Sequence, residues 1–471
     1  MSSRIDPAVR ESIEELFAKR HARGAAPSCV WGIFDRDGLA ASGSTGELNN
    51  GSTPTEHTAY RIASCTKSFT AAAILALRDR GALALDDPIT RYIPSFSAVI
   101  LPTADAPTPT IRMLLTMSAG FPTDNPWGDR QESMAADELD AFLARGVKFD
   151  TVPGTHFEYS NLGFALLGRV IEQAAGRPYR EFIHELFIEP LALTGTGFDS
   201  TVAAAGGVAG GTRWLDDGWD ALPFSGPGAF SPIGGLFSTV ADLSRWAVWL
   251  AEAFDPSGSE TSDSVLSRSS RRELQQLQRF LPERSEHPTG YGLGLFVEHY
   301  PKNETITSHS GGYPGFSAHM RWSQTTGIGV VAFENATGSR VAIAATEALD
   351  KIIAGREANA PIVWNETRAA QAEVTTLLSG WSDDIADSLF SENVALDVSL
   401  ERRRLHAAKA IAQIGGLRPA APGTPLDEES HAPSHLVWHL PGNAGRLRVE
   451  IELTPENSPR IQTLKVTPDR A

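Results

Sequence analysis

Residues 60–81 read "YRIASCTKSFTAAAILALRDRG": a short strand-like stretch, then Ser64, Cys65 and Lys67 at the mouth of an apolar run with helical spacing. Residues three apart on a helix lie on one face about a turn apart, whereas residues two apart do not. Lys67 therefore faces Ser64, and Cys65 points elsewhere. An amine beside a hydroxyl near the positive end of a helix is what a serine needs to become a nucleophile, because its proton has an acceptor and developing negative charge is stabilised there. Cys65 has the apolar neighbours Ala63 and Ala72, surroundings that raise a thiol pKa. Cys29 and Cys65 are both expected to be buried thiols, with no disulfide framework.

On either side of this stretch the chain alternates between two kinds of pattern. "SCVWGIFDRDGLAASGSTG" (28–46) predicts two strands around a turn at Asp35 to Gly38, and "TAYRIA" (58–63) predicts another. From about residue 85 to 255 helical patterns dominate, among them "NLGFALLGRVIEQAAG" (161–176), stopped by Gly176. "YGLGLFVEHY" (291–300), "FSAHMRWSQ" (316–324) and "GIGVVAFEN" (327–335) are then strand-like, and a helix is expected near 338–354. The chain thus starts a sheet, leaves it for a helical lobe, and returns to it.

After about residue 365 the character changes. Helical patterns near 366–379 and 401–413 lead through a Pro-rich loop to "HLVWHL", "LRVEIEL" and "IQTLKV", which predict an antiparallel meander covered on one face by the helices. The expected organisation is one domain over 1–360, with its lobe at about 85–255, and a small α+β domain over 366–471 that caps the site or pairs subunits in a homo-oligomer. The length of 471 residues agrees with more than one domain, since a single core stops growing at roughly 250 to 300.

Composition narrows the partners. The net charge of −16 repels a phosphate backbone or an anionic lipid surface, so neither nucleic acid nor membrane is an expected partner. No run of about 18 apolar residues suggests a membrane-spanning helix. The N-terminal "MSSRIDPAVRESIEELFAKRHARG" patterns as a charged amphipathic helix through Val9, Ile13, Leu16 and Phe17 rather than as a secretory signal, and a cytoplasmic location is expected. His431, His435 and His439 are spaced four apart, but Pro433 and the strand-like pattern prevent a helical metal face. No metal and no cofactor are expected. "GGVAGG" (206–211) lacks a following Gly-Lys-Ser/Thr and is expected to be a loop. Trp214, Trp219, Phe224 and Phe230 line an acyl pocket or anchor that long loop.

Two further stretches complete a constellation: "FEYSNLGFALLG" supplies Tyr159, Ser160 and Asn161 just before a helix, and "SHSGGYPGF" supplies His309, Ser310 and Gly311 beside a strand. With S-x-x-K at 64–67, these resemble the three motifs of the serine β-lactamase and penicillin-binding protein superfamily. Their order and spacing are similar to those of class C β-lactamases and their esterase and D-aminopeptidase relatives. "TIRMLLTMSAGF" and "SPIGGLFSTVADLSRW" add to the likeness, which covers roughly residues 7–355. It implies an α/β (α+β) fold with an antiparallel sheet flanked by helices and an inserted helical lobe.

The resemblance also implies roles. Ser64 would form an acyl-enzyme, Lys67 would deprotonate it, and Tyr159 would act as a second base, held partly as phenolate by positive charge from Lys67 and His309. Lys67 and Tyr159 are then expected to titrate together. Asn161 would fix Lys67 and the substrate amide, or cap a helix beginning at Leu162. The backbone N–H groups of Ser64 and Gly312 would form the oxyanion hole. His309 stands where relatives keep a lysine, which implies weak recognition of a β-lactam carboxylate and a polarising or proton-relaying role instead. Met117 stands where relatives often carry histidine, and no counterpart of the class A acidic residue is present. The expected activity is hydrolysis of a small-molecule ester, with D-aminopeptidase or other amidase, weak β-lactamase, or a sensor without turnover as alternatives.

Overall fold

The strand Ser28–Asp35 is buried along its whole length and serves two cores at once. Val30 and Phe34 enter the larger one, and Cys29, Trp31 and Ile33 enter a second. Side chains alternate across a strand, so a strand covered on both faces is apolar throughout, as "SCVWGIFD" is. The strand lies inside an eight-stranded antiparallel sheet in the order Gly38–Gly46, Ser28–Asp35, Gly329–Glu334, Phe316–Ser323, Glu304–Tyr313, Phe296–Tyr300, Thr289–Tyr291, Arg279–Leu281. The mixed α/β architecture, with a large antiparallel sheet between helices, is the one that the motif resemblance implied.

The computed structural model describes residues 5–255, 264–281, 287–301, 304–354, 362–418 and 427–469. The chain divides into two units, Met1–Glu357 and Ala358–Ala471. In the first, Pro7–Ala22 and Ala342–Ala354 cover one face of the sheet and Val240–Ala251 packs on the other. The fully buried helix Thr66–Leu77 portion of Thr66–Asp79 is locked to Val240–Ala251 by Phe69 stacked on Trp246, ring centroids 3.8 Å apart, and by Trp246 Nε1 donating to Ser68 Oγ at 3.0 Å. An unpartnered indole N–H in such a core would cost free energy, so this bond fixes the rotation of the helix that carries Lys67.

The lobe contains Ile111–Leu115, Ala136–Ala144, Asn161–Ala175 and Tyr179–Ile183. Asn161–Ala175 ends at Gly176 in the left-handed region, φ 67°, where glycine carries no Cβ penalty. The loop expected at 206–211 runs directly into a hairpin formed by Gly211–Leu215 and Gly218–Leu222. Trp214 and Trp219 sit opposite one another in it, 5.1 Å apart, and Phe224 packs on Phe237 and Phe316. The long strand expected at 291–300 is two, Thr289–Tyr291 and Phe296–Tyr300.

The second unit has its own core around Val374, Leu377, Trp438, Val449 and Ile451. Its sheet runs Glu428–Glu429, His435–Gly442, Gly445–Leu453, Ile461–Asp469, all antiparallel, one short strand more than the three runs suggested. Between Asn365–Ser379 and Leu400–Gln413 lie two short helices, Asp383–Leu389 and Glu392–Asp397. Their apolar pattern is too short to register as a period. Among the described residues no helix is long and apolar enough to cross a membrane.

Candidate active site

A single turn of 3-10 helix, Ala63–Cys65, delivers the chain into Thr66–Asp79. Ala63 adopts φ 48°, a conformation that costs a residue with a Cβ of order 1 kcal/mol or more. The result is a sharp corner with Ser64 at its tip, nearly buried, and Lys67 wholly buried one turn on. Gly311 makes the corner approachable. A Cβ there would lie 2.3 Å from the Ile62 carbonyl oxygen and 3.0 Å from Ala63 Cβ, so only glycine lets the strand Glu304–Tyr313 lie against the turn. Pairing of this strand with Phe296–Tyr300 stops at Ser308. From His309 onward that edge has no described strand beside it, and Gly312 is exposed there.

Lys67 Nζ has three partners: Ser64 Oγ at 3.0 Å, Asn161 Oδ1 at 2.7 Å and the Ile233 carbonyl oxygen at 2.9 Å. Burial disfavours the ammonium form and brings the Lys67 pKa down to about 7, against the opposing pull of the Asp129 and Asp124 carboxyls. Burial likewise brings Asp129 up to about 7, with Lys67 pulling the other way. Asp129, a carboxyl the sequence did not suggest, thus bears on the titration of Lys67 and Lys67 on that of Asp129. The two acceptors on Nζ other than Ser64 can only accept. A neutral amine must spend its two N–H groups on them, which turns its lone pair toward Ser64.

Tyr159 hydrogen-bonds Ser64 through its hydroxyl, and Lys67 Nζ lies 5.1 Å from its ring centroid. The expected phenolate is not what the surroundings favour. Burial pushes the phenol well above the usual tyrosine range, with Asp129 and Asp124 adding to the rise, so Tyr159 keeps its proton. Nor does His309 supply charge: burial, then the nearby Lys67 amine, bring it down to about 3. Its Nδ1 faces the Ser310 carbonyl oxygen at 2.7 Å and its Nε2 the Tyr291 hydroxyl at 3.2 Å. A carbonyl only accepts, so the proton belongs on Nδ1 and Nε2 receives the Tyr291 O–H. The His309 and Tyr159 rings are 6.3 Å apart.

Main-chain contacts hold Tyr159 in place. Glu158 N–H donates to the Met117 carbonyl at 2.7 Å and Thr123 Oγ1 donates to the Tyr159 carbonyl at 2.8 Å. Met117, at φ 55°, therefore contributes through its backbone. Asn161 is the first residue of its helix, with Ser160 at the cap position. The capping itself falls to Asp124, whose carboxylate accepts Asn161 N–H at 2.6 Å and Leu162 N–H at 2.8 Å. This leaves the Asn161 side chain free to bind Lys67, and Asn125 Oδ1 accepts its amide N–H at 2.9 Å, fixing which end faces the lysine.

A buried carboxylate ties the surrounding elements together. Glu132, fully buried, accepts from Ser231 Oγ and Tyr313 Oη, each at 2.8 Å, and lies 3.4 Å from Arg61. Arg61 precedes the Ser64 turn, Tyr313 follows Gly312, and Ser231 precedes Ile233. The structure thus brings Ser64, Lys67, Tyr159 and Asn161 into contact, sets His309 behind Tyr159, and leaves Gly312 on the open strand edge. Asp124, Asp129, Glu132, Tyr291 and the Ile233 carbonyl were not foreseen. The acidic residues stand in "DNPWGDRQE" (124–132), where nothing but their later burial distinguishes them from surface charge. Among the described residues no group of three or more His, Cys, Asp or Glu side chains converges to hold a metal.

A family model described as Beta-lactamase matches residues 13–353. The curated "Beta-lactamase-like protein 2" of Dictyostelium discoideum is 28% identical over 279 residues, 56% of this chain and 50% of that protein. The chain thus spans about half the length of the curated relatives of this kind. Among solved structures, the octameric penicillin-binding protein homologue from Pyrococcus abyssi superposes with a TM-score of 0.64 at 21% identity, covering 97% of this chain and 99% of its own. A D-stereospecific amidohydrolase from Streptomyces sp. superposes with a TM-score of 0.58 at 25% identity, covering 75% of this chain and 100% of its own.

Proposed function

The chain belongs to the Beta-lactamase family, and from that premise we infer that it hydrolyses a carboxylic ester or amide through an acyl-serine on Ser64, with esters as the first substrate class. The observation that carries this reading is the 3.0 Å contact between Lys67 Nζ and Ser64 Oγ, made by an amine whose other neighbours are both acceptors. Neutral Lys67 takes the Ser64 proton as Oγ attacks the carbonyl carbon. The N–H groups of Ser64 and Gly312 receive the oxyanion. Tyr159, protonated and bonded to Ser64, passes a proton to the leaving alcohol or amine, and is replenished from the Lys67 ammonium. Lys67 is then neutral again and deprotonates the water that releases the acid.

His309 has no charge to offer near neutral pH. The fixed cation that would hold a β-lactam carboxylate is missing from that position, which supports esters over β-lactams. Amide hydrolysis is the second reading, favoured by the likeness to the Streptomyces amidohydrolase. The test compares parent, Ser64→Ala and Cys65→Ala with a p-nitrophenyl acyl ester and a fluorophosphonate. Turnover and labelling that vanish only in Ser64→Ala support the reading. Labelling that survives Ser64→Ala and vanishes in Cys65→Ala would overturn it, and a single acylation without turnover would make the protein a sensor.

A further inference from the structure

The segment 124–132 brings Asp124, Asp129 and Glu132 beside the candidate site, and two of these carboxyl groups are consumed by structure. Asp124 caps the helix of Asn161, and Glu132 holds Ser231, Tyr313 and Arg61. Asp129 differs from both. Among the described residues its carboxylate accepts no hydrogen bond and makes no ion pair, its oxygens keep accessible surface, and the side chain is half-buried. It is also the strongest charge acting on Lys67, and it acts on Tyr159 and Tyr313, which sets it on the Ser64 side of the fold. The backbone fixes its place. Asp129 N–H donates to the Asn125 carbonyl at 3.2 Å, Asn125 Oδ1 accepts the Asn161 amide at 2.9 Å, and a Cβ on Gly128 would lie 2.8 Å from Asn161 Cβ. The turn that carries Asp129 is therefore pressed against the residue that orients Lys67, with glycine allowing the approach.

A carboxylate drawn partly out of water without a donor loses free energy that a donor on a ligand can return. Burial has already raised Asp129 to about 7, and a cation seated against it would favour the ionised form. Lys67 is not that cation, because its Nζ is held by Ser64, Asn161 and Ile233. Arg130, the other cation that reaches Asp129, is exposed and acts more weakly than Lys67. Tyr159 is bonded to Ser64, and the Tyr313 hydroxyl is given to Glu132. The open lone pairs of Asp129 are thus left to the molecule that occupies the Ser64 site. We propose that Asp129 selects substrates with an ammonium group close to the scissile carbonyl, the N–H groups donating to its free oxygens while Ser64 Oγ attacks the carbonyl carbon. This role rests on the acyl-serine reading and narrows its substrates to aminoacyl esters or amides. The bound cation also offsets the Asp129 charge that otherwise favours the Lys67 ammonium, so the substrate helps to keep its own base neutral.

The test pairs esters of equal shape at neutral pH: methyl alaninate, D and L, against methyl isobutyrate, and methyl β-alaninate against methyl butanoate. Acid release is measured for the full-length parent, Asp129→Asn and Asp129→Glu. An ammonium speeds ester hydrolysis by itself, and any change in Lys67 titration acts on both members of a pair. The quantity read is therefore the ratio of kcat/KM within a pair, compared between parent and variant. In at least one pair that ratio should fall at least tenfold in Asp129→Asn and stay nearer the parent in Asp129→Glu; Asp129→Ser takes the place of the first variant should that not fold. Unchanged ratios in every pair, with Ser64-dependent turnover intact, would overturn the role of Asp129 and leave the hydrolase reading standing. A fall of equal size in Asp129→Glu would mark a structural effect and overturn it too. Should no ester be turned over, the hydrolase reading fails, and isothermal titration of parent and Asp129→Asn with the corresponding amides decides the site. At least tenfold tighter binding of a charged amide than of its neutral partner, lost in the variant, supports the role; equal binding or none overturns it.

Discussion

Asn161 presents its carbonyl oxygen, not its amide nitrogen, to Lys67, because Asn125 takes the nitrogen. An acceptor with no formal charge can hold the N–H of a neutral amine without drawing a proton onto it. The low pKa of Lys67 therefore depends on that position being an amide.

Only neutral Lys67 can accept the Ser64 proton, and burial sets its pKa at about 7. Below that value the ammonium dominates and attack is blocked. We expect kcat/KM to rise with pH through about 7 and then level off, with Asn161→Asp moving the rising limb upward because a carboxylate favours the ammonium. A pH profile on an ester substrate checks both, and a limb that stays put in Asn161→Asp would contradict this account.

Tyr159 enters as a phenol that relays a proton, so Tyr159→Phe should remove the relay and leave Lys67 in place. General acid–base steps contribute about 10² to 10⁴-fold, and a fall in kcat of that order is expected. The fall should be smaller for a p-nitrophenyl ester, whose leaving group needs no proton, than for an alkyl ester. Steady-state kinetics on the two esters reads the difference directly.

Two adjacent glycines should respond differently. Gly311→Ala drives a methyl into the backbone at Ile62, and the motif strand must back away from Ser64. We expect a loss of at least about 10²-fold in kcat/KM, since misplacement by 1 Å can cost that much. Gly312→Ala meets nothing within 4 Å and retains the N–H assigned to the oxyanion hole, so activity should stay within a few-fold of the parent. A large loss in Gly312→Ala would remove that assignment.

Glu132→Leu leaves Arg61 buried without its carboxylate and Tyr313 without its acceptor. Breaking one side of a buried pair costs about 3 to 5 kcal/mol, readable as an earlier thermal transition. Combining Glu132→Leu with Arg61→Met should recover a large part of that stability, because both charges are then gone. Activity need not return, since the links among the three elements would still be absent.

The sequence made some of these residues plain and hid others for physical reasons. Ser64 and Lys67 could be placed on one face because helix geometry is local, and the ends of Asn161–Ala175 followed from its apolar period and Gly176. Period-two runs exposed most sheet strands. The hairpin at Trp214 and Trp219 was missed because its residues are largely exposed and carry no buried stripe. The charge states of Tyr159 and His309 could not be read, since both are set by burial among elements far apart in the chain. Asp124 was invisible for the same reason: it caps a helix that begins 37 residues later.

The strand Glu304–Tyr313 serves two masters through the parity of its residues, His309 and Gly311 toward one compartment, Ser308 and Ser310 toward the other. Insertion or deletion of one residue ahead of Ser308 would exchange the two sets, presenting hydroxyls to the nucleophile and an imidazole to the opposite face of the sheet. Variation along this segment is consequently tolerable only in steps of two, and neither compartment can be remodelled by a frame slip without ruining its neighbour.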